Sequence, residues 1–374
     1  MAGNGIRPLA EDDLEQVAAL YELVARSGLR TVPPKMVEFF RESFLKHPWV
    51  DPEIPSLVSE DREGRIVGFI GSHVRRFRFD GRPVRIGCGG QLVADPEARN
   101  QAVGAFLMRR YLAGPQDLTI TDTATEVVRR IWETAGGRTD YTSCIGWLRV
   151  FRPWAFARAY LVRGERAGAV HAIGRPFSYV LDSLSIRVSS DRLRVKRPEG
   201  RSEELGSQTL VDQLPELSGS VRLYPDYDAG FLRWLFREMA LTTSHGTLLR
   251  ALVRDARGEL LGWYVYYLKP GGISQVMQVA ARSRFVGEVL DHLFFDAQAG
   301  GSAALQGRLE PRLLEPLSHR RVLLHPSGYL TLVDARNRDL LDAIAAGDAI
   351  LTRMEGDWWM GHHLLSFEEG AAAE

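Results

Sequence analysis

The segment from Gly90 to Leu107 constrains this chain more than any other. It begins as a short apolar strand, passes through a turn and a loop of small residues, and continues as an apolar helix. Such a loop presents several backbone N–H groups at a helix N-terminus, where they can bind a pyrophosphate. Small residues let the phosphates come close to the backbone. The segment therefore predicts a phosphate-binding turn between a strand and a helix.

Length and charge narrow the class of protein. A chain of 374 residues favours two domains over one. With 45% hydrophobic and 25% charged residues, the composition is that of a globular protein. The 47 Lys and Arg residues equal the 47 Asp and Glu residues in number, so there is no basic excess of the kind that favours a nucleic-acid partner. We expect no nucleic acid among its partners.

Cysteine usage and apolar runs set further expectations. Cys88 and Cys144 have neither a metal-ligand spacing nor the pattern of a disulfide framework, so no metal site is expected. The first residues lack the apolar core of a signal peptide. No apolar run reaches the length needed to span a bilayer. We therefore expect a cytoplasmic protein without a membrane partner.

Apolar spacing and turn signals predict the element order β, α, α, β, β, β, α, β, α, β in the first part of the chain. Asp80-Gly81, between two apolar runs, is a strong signal for a tight hairpin. The last helix of this series ends at Gly136-Gly137. A final strand is predicted over Thr142–Val150.

Arg99, Ala102 and Gly104 carry a resemblance to a known family. They hold the three defined positions of the acyl-CoA-binding motif Arg/Gln-x-x-Gly-x-Gly/Ala, and this part of the chain resembles the GCN5-related N-acetyltransferases (the GNAT superfamily). Ala102 stands where the motif has its first glycine. The resemblance covers about residues 4–152, and the element order above is that of a GNAT domain.

The resemblance implies an acyl-CoA donor, with acetyl-CoA as the first choice, and no metal. Backbone N–H groups of the loop would bind the pyrophosphate, the end of the preceding strand would pair with the pantetheine, and Arg99 would contact phosphate by charge. The predicted cofactor-binding residues are Leu92, Val93, Ala94, Arg99, Asn100, Gln101, Ala102, Val103, Gly104 and Ala105.

Two residues are predicted to be catalytic. Acyl transfer to an amine needs a neutral amine, a stabilised oxyanion and often an acid for the departing thiolate. Trp132 takes the position at which many members of the family carry a tyrosine acid, so Tyr141 is the candidate substitute. Asp122, at the end of a strand, is the candidate general base. Their alternatives are a packed tyrosine at a strand edge and a turn or helix-capping aspartate.

The second half of the chain repeats the first weakly. Val58–Phe69 aligns with Val253–Tyr264, which indicates two GNAT-like domains, each a mixed and mainly antiparallel sheet flanked by helices, in the α/β (α+β) class. Fem-type aminoacyltransferases have a similar tandem arrangement. The second half has no small-residue loop of the right spacing. The predicted division is therefore 1–152 with the acyl-CoA site, 153–205 as a connecting segment, and 206–374 without its own CoA site.

Three other patterns have two interpretations each. His73 could face an acceptor site or lie on a solvated strand face. The arginines at 75, 76, 78, 82 and 85 could bind an acidic acceptor or form a solvated face. The stretch from Asp357 to His363 could stack against a ligand, with Asp357 near the reaction, or could close a sheet.

Together these patterns predict an acyl-CoA-dependent N-acyltransferase, most simply an acetyltransferase. The amine of a small molecule or peptide would attack the thioester directly. The oligomeric state is left open. Two alternatives remain: a Fem-like aminoacyltransferase that uses a charged-tRNA donor, and a non-catalytic protein that keeps the fold for binding or regulation.

Overall fold

The computed structural model describes residues 5–26, 32–97, 102–161, 193–219 and 221–361. The chain divides into two compact units, each made of separate stretches of sequence. Unit 1 comprises Met1–Tyr141, Val221–Thr242 and Gly328–Glu374, and unit 2 comprises Thr142–Ser220 and Thr243–Ser327. Each unit contains a mixed sheet flanked by helices, which confirms the predicted fold class.

The strands and helices are numbered in chain order. The strands are β1 (Gly5–Pro8), β2 (Leu57–Glu60), β3 (Ile66–Phe79), β4 (Arg82–Ala94), β5 (Leu118–Ala124), β6 (Arg138–Thr139), β7 (Ile145–Val150), β8 (Arg201–Glu204), β9 (Leu223–Pro225), β10 (Thr247–Arg254), β11 (Leu260–Leu268), β12 (Ile273–Ala281), β13 (Ala304–Arg308), β14 (Leu323–Pro326) and β15 (Leu330–Ala335). The helices are α1 (Leu14–Ala25), α2 (Pro34–Phe44), α3 (Val103–Leu112), α4 (Glu126–Thr134), α5 (Pro153–Leu161), α6 (Ser207–Ser218), α7 (Ala229–Ala240), α8 (Val286–Ala299), α9 (Pro311–Ser318) and α10 (Arg338–Ala346).

Sheet 1 lies in unit 1 and sheet 2 in unit 2. Sheet 1 has the order β1-β2-β3-β4-β5-β15-β6, with β9 paired to β3, and sheet 2 has the order β14-β7-β13-β12-β11-β10-β8. Most neighbours are antiparallel, but β4 pairs with β5 in parallel, and so do β12 and β13. In both cases a helix connects the parallel strands, as such a crossover requires.

The predicted hairpin is confirmed at the end of β3. Asp80 has φ 49° and Gly81 has φ 77°. A two-residue turn with both central residues at positive φ is the type I′ turn, whose twist matches that of the flanking strands. The β3–β4 hairpin then pairs from Phe79 and Arg82 back to Gly68 and Ala94.

Helices cover both faces of sheet 1. A Cβ atom built on Gly68 would lie 2.5 Å from Val103 of α3, and one built on Gly71 would lie 2.4 Å from the Phe44 ring of α2. Positions an odd number of residues apart on a strand face opposite sides. The two glycines thus let α3 approach one face of β3 and α2 approach the other.

The predicted repeat is confirmed by matching turns. The carboxylate of Asp61 accepts the N–H groups of Glu63 and Arg65 in the β2–β3 turn, and Asp255 accepts those of Arg257 and Glu259 in the β10–β11 turn. The pairing register slips at the same place in both units, after the Ser59–Gly68 pair in one and after the Val253–Gly262 pair in the other.

The compact units differ from the predicted division at residues 152 and 206. Strand β15 pairs with β5 on one side and β6 on the other, so residues near the end of the chain complete sheet 1. Strand β7, predicted as the last strand of the first domain, instead pairs with β13 and β14 in sheet 2. Part of the predicted connecting segment also belongs to sheet 2, because β8 pairs with β10. Residues 162–192 lie outside the described part.

We expect the isolated fragment 1–152 to be unfolded. It lacks β15, which separates β5 from β6, and α10, whose Leu340 and Ile344 pack on Leu118 and Ile120. Circular dichroism and thermal unfolding of the fragment, beside the full chain, test this. A cooperative melting transition of fragment 1–152 would contradict the observed division.

Candidate functional site

The parallel pairing of β4 and β5 stops early and leaves an opening. It runs from Ile86–Leu118 to Cys88–Ile120, although β4 continues to Ala94 and β5 to Ala124. Over Val93 and Ala94, β4 pairs with β3, and no strand of the described residues pairs with its other edge. A free strand edge can accept an extended ligand as an added strand.

A β-bulge shapes the free end of β4. Gly90 pairs with Gly71, and Val93 pairs with Phe69, so Gln91 and Leu92 together oppose Ile70. Gln91 has φ 50°, in the left-handed region. Bulges of this kind bend a strand and redirect its side chains, and they are common beside active sites. The predicted pantetheine-binding residues Leu92, Val93 and Ala94 thus lie just beyond a bulge.

The start of α3 fits the predicted phosphate turn where it is described. Ala102 caps the helix with φ 53° and ψ 32°, a left-handed conformation that glycine adopts more easily. Val103 and Gly104 occupy the first turn, where backbone N–H groups have no acceptor within the helix. A Cβ atom on Gly104 would have Ala94, at 3.9 Å, as its nearest neighbour. The N–H of Ala105 donates to the carbonyl of Ala102 at 3.0 Å. Arg99, Asn100 and Gln101 lie outside the described residues.

The carboxyl group of Asp357 lies at the opening between β4 and β5. One of its oxygens accepts the N–H of Asp122 at 2.8 Å and the hydroxyl of Thr121 at 3.1 Å. The other accepts the hydroxyl of Thr123. A Cβ atom on Gly90 would come within 2.8 Å of Asp357, so only glycine leaves room for the carboxyl group beside β4.

Asp122, the predicted general base, holds the segment that carries Asp357. One of its carboxylate oxygens accepts the N–H groups of Asp357 and Trp358, each at 2.8 Å. A Cβ atom on Gly356 would lie 2.3 Å from the same carboxylate. Asp122 therefore makes the contacts expected of a turn-binding aspartate, which was the alternative to a general base. It also lies in direct contact with a second buried acid, Asp357.

Burial raises the pKa of Asp357 to about 8, and the neighbouring charge of Asp122 adds to the effect. Asp357 is only 1% exposed. A carboxyl group that exchanges its proton near neutral pH can serve as a general acid or base, which an ordinary aspartate does less well. A buried acid with a raised pKa, in contact with a second acid, is a frequent sign of an acid–base site.

The structure does not bring Tyr141 next to Asp122. Tyr141 is 68% exposed. It follows β6, and β15 lies between β6 and β5. Trp132 is fully buried instead, and its indole N–H donates to the carbonyl of Val333 at 3.2 Å. Its position in α4 therefore anchors β15 to the helix layer.

A group of aromatic and basic side chains lies on the α2 face of sheet 1. His73 stacks on His47 with centroids 4.9 Å apart, and it contacts the rings of Trp234 and Trp359 at 6.1 and 6.4 Å. Arg75 lies beside His73, with 3.3 Å between its guanidinium and the imidazole Nδ1. We name these five residues the donor cluster. His73 is thus buried, not on a solvated face.

The sequence interpretation of the arginines missed Arg75. Arg85 pairs with Asp51 and Glu53, and Arg78 pairs with Asp226, as expected of a solvated face. Arg75 is 1% exposed. Strand alternation could have separated it from the exposed arginines, because it shares the face of His73 and Phe77.

Unit 2 has a comparable separation of β12 from β13, but it is occupied. The parallel pairing ends at Gln275–Gln306. Further along β12, the guanidinium of Arg312 donates to the carbonyl of Val279 and pairs with Glu310. The side chain of Arg312 thus occupies a backbone carbonyl on this strand edge, the one of Val279.

Two general features complete the site description. Among the described residues, no three His, Cys, Asp or Glu side chains are grouped as metal ligands. Within the same part of the chain, no helix combines the length and the apolar character needed to cross a membrane.

Comparisons with known proteins rest on structure. No protein-family model and no curated protein matches the chain. A protein of unknown function from Enterococcus faecalis, titled a probable N-acyltransferase, has a TM-score of 0.55 at 11% identity over 88% of this chain and 72% of its own. A GCN5-related N-acetyltransferase from Anabaena variabilis gives 0.55 at 11% identity over 89% of this chain and 73% of its own.

An N-myristoyltransferase from Saccharomyces cerevisiae, solved with bound myristoyl-CoA, has a TM-score of 0.51 at 12% identity over 89% of this chain and 82% of its own. Identities this low establish the fold and nothing finer. The matches extend over most of the chain, so they include both units. The chain therefore has the fold of the GCN5-related N-acetyltransferases, in a tandem form with two mixed sheets.

Proposed function

We propose that this protein is an acyl-CoA-dependent N-acyltransferase, with acetyl-CoA as the first donor to test and the amine of a small molecule or peptide as acceptor. One observation carries the proposal. The opening between β4 and β5 has the free edge of β4 on one side. The buried carboxyl group of Asp357, whose pKa is about 8, lies at this opening and accepts the N–H of Asp122. These are the parts needed to hold a thioester and to deprotonate an amine.

The donor would bind along β4 and the start of α3. Leu92, Val93 and Ala94 would pair with the pantetheine through the free edge of β4. The first-turn N–H groups of α3 would bind the pyrophosphate, and the room beside Gly104 lets it approach. Arg99, Asn100, Gln101, Ala102 and Ala105 complete the proposed set.

Asp357 would accept the proton of the attacking amine. Three hydrogen-bond donors stabilise its ionised form: the hydroxyls of Thr121 and Thr123 and the N–H of Asp122. As the amine nitrogen bonds to the acyl carbon and the bond from carbon to sulfur breaks, the thiolate leaves and can take up a proton. Asp122 is then a positioning residue, since it fixes the turn that carries Asp357.

Unit 2, in this proposal, does not bind a second CoA. Arg312 donates to the Val279 carbonyl on the strand edge that corresponds to the free edge of β4. The second unit would therefore not supply an equivalent donor site.

A second candidate function is CoA binding without turnover. The indole N–H of Trp132 donates to the carbonyl of Val333. Trp132 therefore has a structural role at the position where many GNAT enzymes carry a tyrosine acid. Tyr141, the proposed substitute acid, is exposed, so it would have to move toward the opening between β4 and β5 to protonate the thiolate.

Asp357→Asn should lower kcat/KM for acyl transfer about a hundredfold or more, because removal of a general base typically costs that much. The wild-type rate should rise with pH toward about 8, as the Asp357 carboxyl group ionises. Initial rates of CoA release from acetyl-CoA, between pH 6 and 9.5, measure both effects. Asp342→Asn, an exposed aspartate of α10, is the matched control. An unchanged rate and pH profile in Asp357→Asn would refute the assignment.

The same substitution should change how stability depends on pH. Because the folded-state pKa of Asp357 is raised, the folded protein holds a proton that the unfolded chain releases, and stability falls as pH rises from about 4 to about 8. The loss is at most about 1.4 kcal/mol per pH unit from this group. Denaturant unfolding of the wild type and Asp357→Asn at pH 5, 6.5 and 8 should show a shallower decline in the variant. Parallel declines would contradict the raised pKa.

Gly104→Trp should abolish CoA binding, whereas Gly104→Ala should keep it, because the motif allows alanine at this position. An added Cβ meets only Ala94, at 3.9 Å, and alanine favours a helix, so the Tm of Gly104→Ala should stay the same or rise. Calorimetric titration with CoA should show a wild-type Kd for Gly104→Ala and no binding for Gly104→Trp. Gly219→Ala, where a Cβ meets nothing within 4 Å, is the control. Wild-type affinity in Gly104→Trp would remove α3 from the donor site.

A further inference from the structure

Four nitrogen atoms of the donor cluster are buried and have no hydrogen-bond partner. They are His73 Nε2, Arg75 Nη2, Trp234 Nε1 and Trp359 Nε1. All four side chains are at least nine-tenths buried, with Trp234 the most exposed at 5%. Buried polar atoms usually find a partner, so a group of unpaired ones is available to hydrogen-bond a bound ligand.

All four atoms are donors. Indole and guanidinium nitrogens can only donate. The guanidinium of Arg75 faces Nδ1 of His73 at 3.3 Å, so Nδ1 must accept and the proton lies on Nε2. Burial, together with the charge of Arg75, lowers the pKa of His73 well below its usual value, which keeps the ring neutral. The missing partner is therefore an acceptor.

The charge of Arg75 makes that acceptor an anion. The guanidinium donates to the carbonyl oxygens of Glu355 and Val74 at 3.2 and 3.4 Å, and it forms no ion pair with a carboxylate of the described residues. The carboxylate of Glu355 is taken by Tyr227 and Thr352. Glu355 and Asp357 favour the charge of Arg75 from a distance, but no carboxylate of the described residues forms an ion pair with it, and a bound anion would offset more of the cost of burying it. Planar donors such as guanidinium suit a carboxylate.

The donor cluster lies beside the proposed reaction site. His73 pairs with Cys88, and two residues along the hairpin Gly71 pairs with Gly90, against which the Asp357 carboxyl group packs. Paired residues on antiparallel strands face the same side. Trp359, two residues from Asp357, contacts the ring of His73. An anion at the cluster and an amine at Asp357 would thus be separated by about two residues' length of sheet, roughly 7 Å.

We infer that the donor cluster binds a carboxylate of the acceptor, so that the acceptor is a compact molecule with both an amine and a carboxylate, such as an amino acid. The amine half of this inference rests on the proposed function. The carboxylate half rests on the four unpartnered donors alone.

The carboxylate half is tested without any CoA. Formate, acetate and benzoate are titrated into the full-length protein by calorimetry and by Tm, beside formamide, acetamide and benzamide at equal ionic strength. The carboxylates should bind and raise the Tm, and the amides should not. Arg75→Met and Trp234→Phe should each weaken carboxylate binding about tenfold or more, as expected for a lost hydrogen bond to a charged group. Arg82→Met, an exposed arginine of the same hairpin, should bind as the wild type does.

Trp234→Phe keeps the test valid if Arg75→Met does not fold, because it removes an N–H that has no partner in the chain. Equal binding of carboxylates and amides, or wild-type affinity in both variants, would overturn the inference.

The amine half is tested by CoA release from acetyl-CoA with glycine and phenylalanine against glycinamide and phenylalaninamide. Faster transfer to the free acids, lost in Trp234→Phe, supports the full inference. Transfer to the amides at equal or higher rates overturns the inference and leaves the proposed function intact. No transfer to any amine, with carboxylates still bound, refutes the proposed function and leaves the carboxylate site.

Discussion

The contact between Asp357 and the backbone and hydroxyls of β5 is the interaction on which the rest of unit 1 depends. It joins residues 235 positions apart in the sequence. The reciprocal bonds, from the N–H groups of Asp357 and Trp358 to Asp122, make it a closed pair of buried acids. Such a pair is costly to bury, and buried acids in contact are frequent at functional sites.

The units are discontinuous in sequence. The chain leaves unit 1 after Tyr141, returns over Val221–Thr242, leaves again for most of sheet 2, and returns a second time at Gly328. The first return supplies α7 with Trp234, and the second supplies β15, α10 and the turn of Asp357. Both the proposed base and half of the donor cluster are therefore contributed by residues far from the phosphate loop in sequence. An isolated GNAT-like half of this chain would lack them.

The sequence was sufficient to predict the local features of the fold. The Asp80-Gly81 turn, the order of elements and the repeated strand–turn–strand follow from periodicity and from residues with special backbone preferences. Long-range pairing could not be predicted in the same way. Nothing in the short apolar run of β15 distinguishes a strand that closes sheet 2 from one that inserts between β5 and β6.

Only the part of the candidate site that is local in sequence could be predicted, because the rest depends on long-range contacts. The segment Leu92–Ala105 is defined by a local loop pattern: its described residues include the end of β4 and the start of α3, and its role in binding a donor stays a prediction. The guanidinium of Arg75 lies over the ring of Phe231 in α7, which comes much later in the chain, so alternation could indicate its face but not what covers it. Asp122 was predicted from its place at the end of a strand, and in the structure it lies within β5, two residues before Ala124. Asp357 was also noted in the sequence, but its contact with Asp122 is visible only in the fold.

The most direct measurement is amide hydrogen exchange with and without saturating acetyl-CoA. The account predicts that protection increases in peptides that cover β4 after the bulge and the first turn of α3, residues 92–94 and 103–105, and that β12 and the start of α8 in unit 2 do not change. Protection centred on unit 2, or no change in the 92–105 region at saturation, would contradict the account.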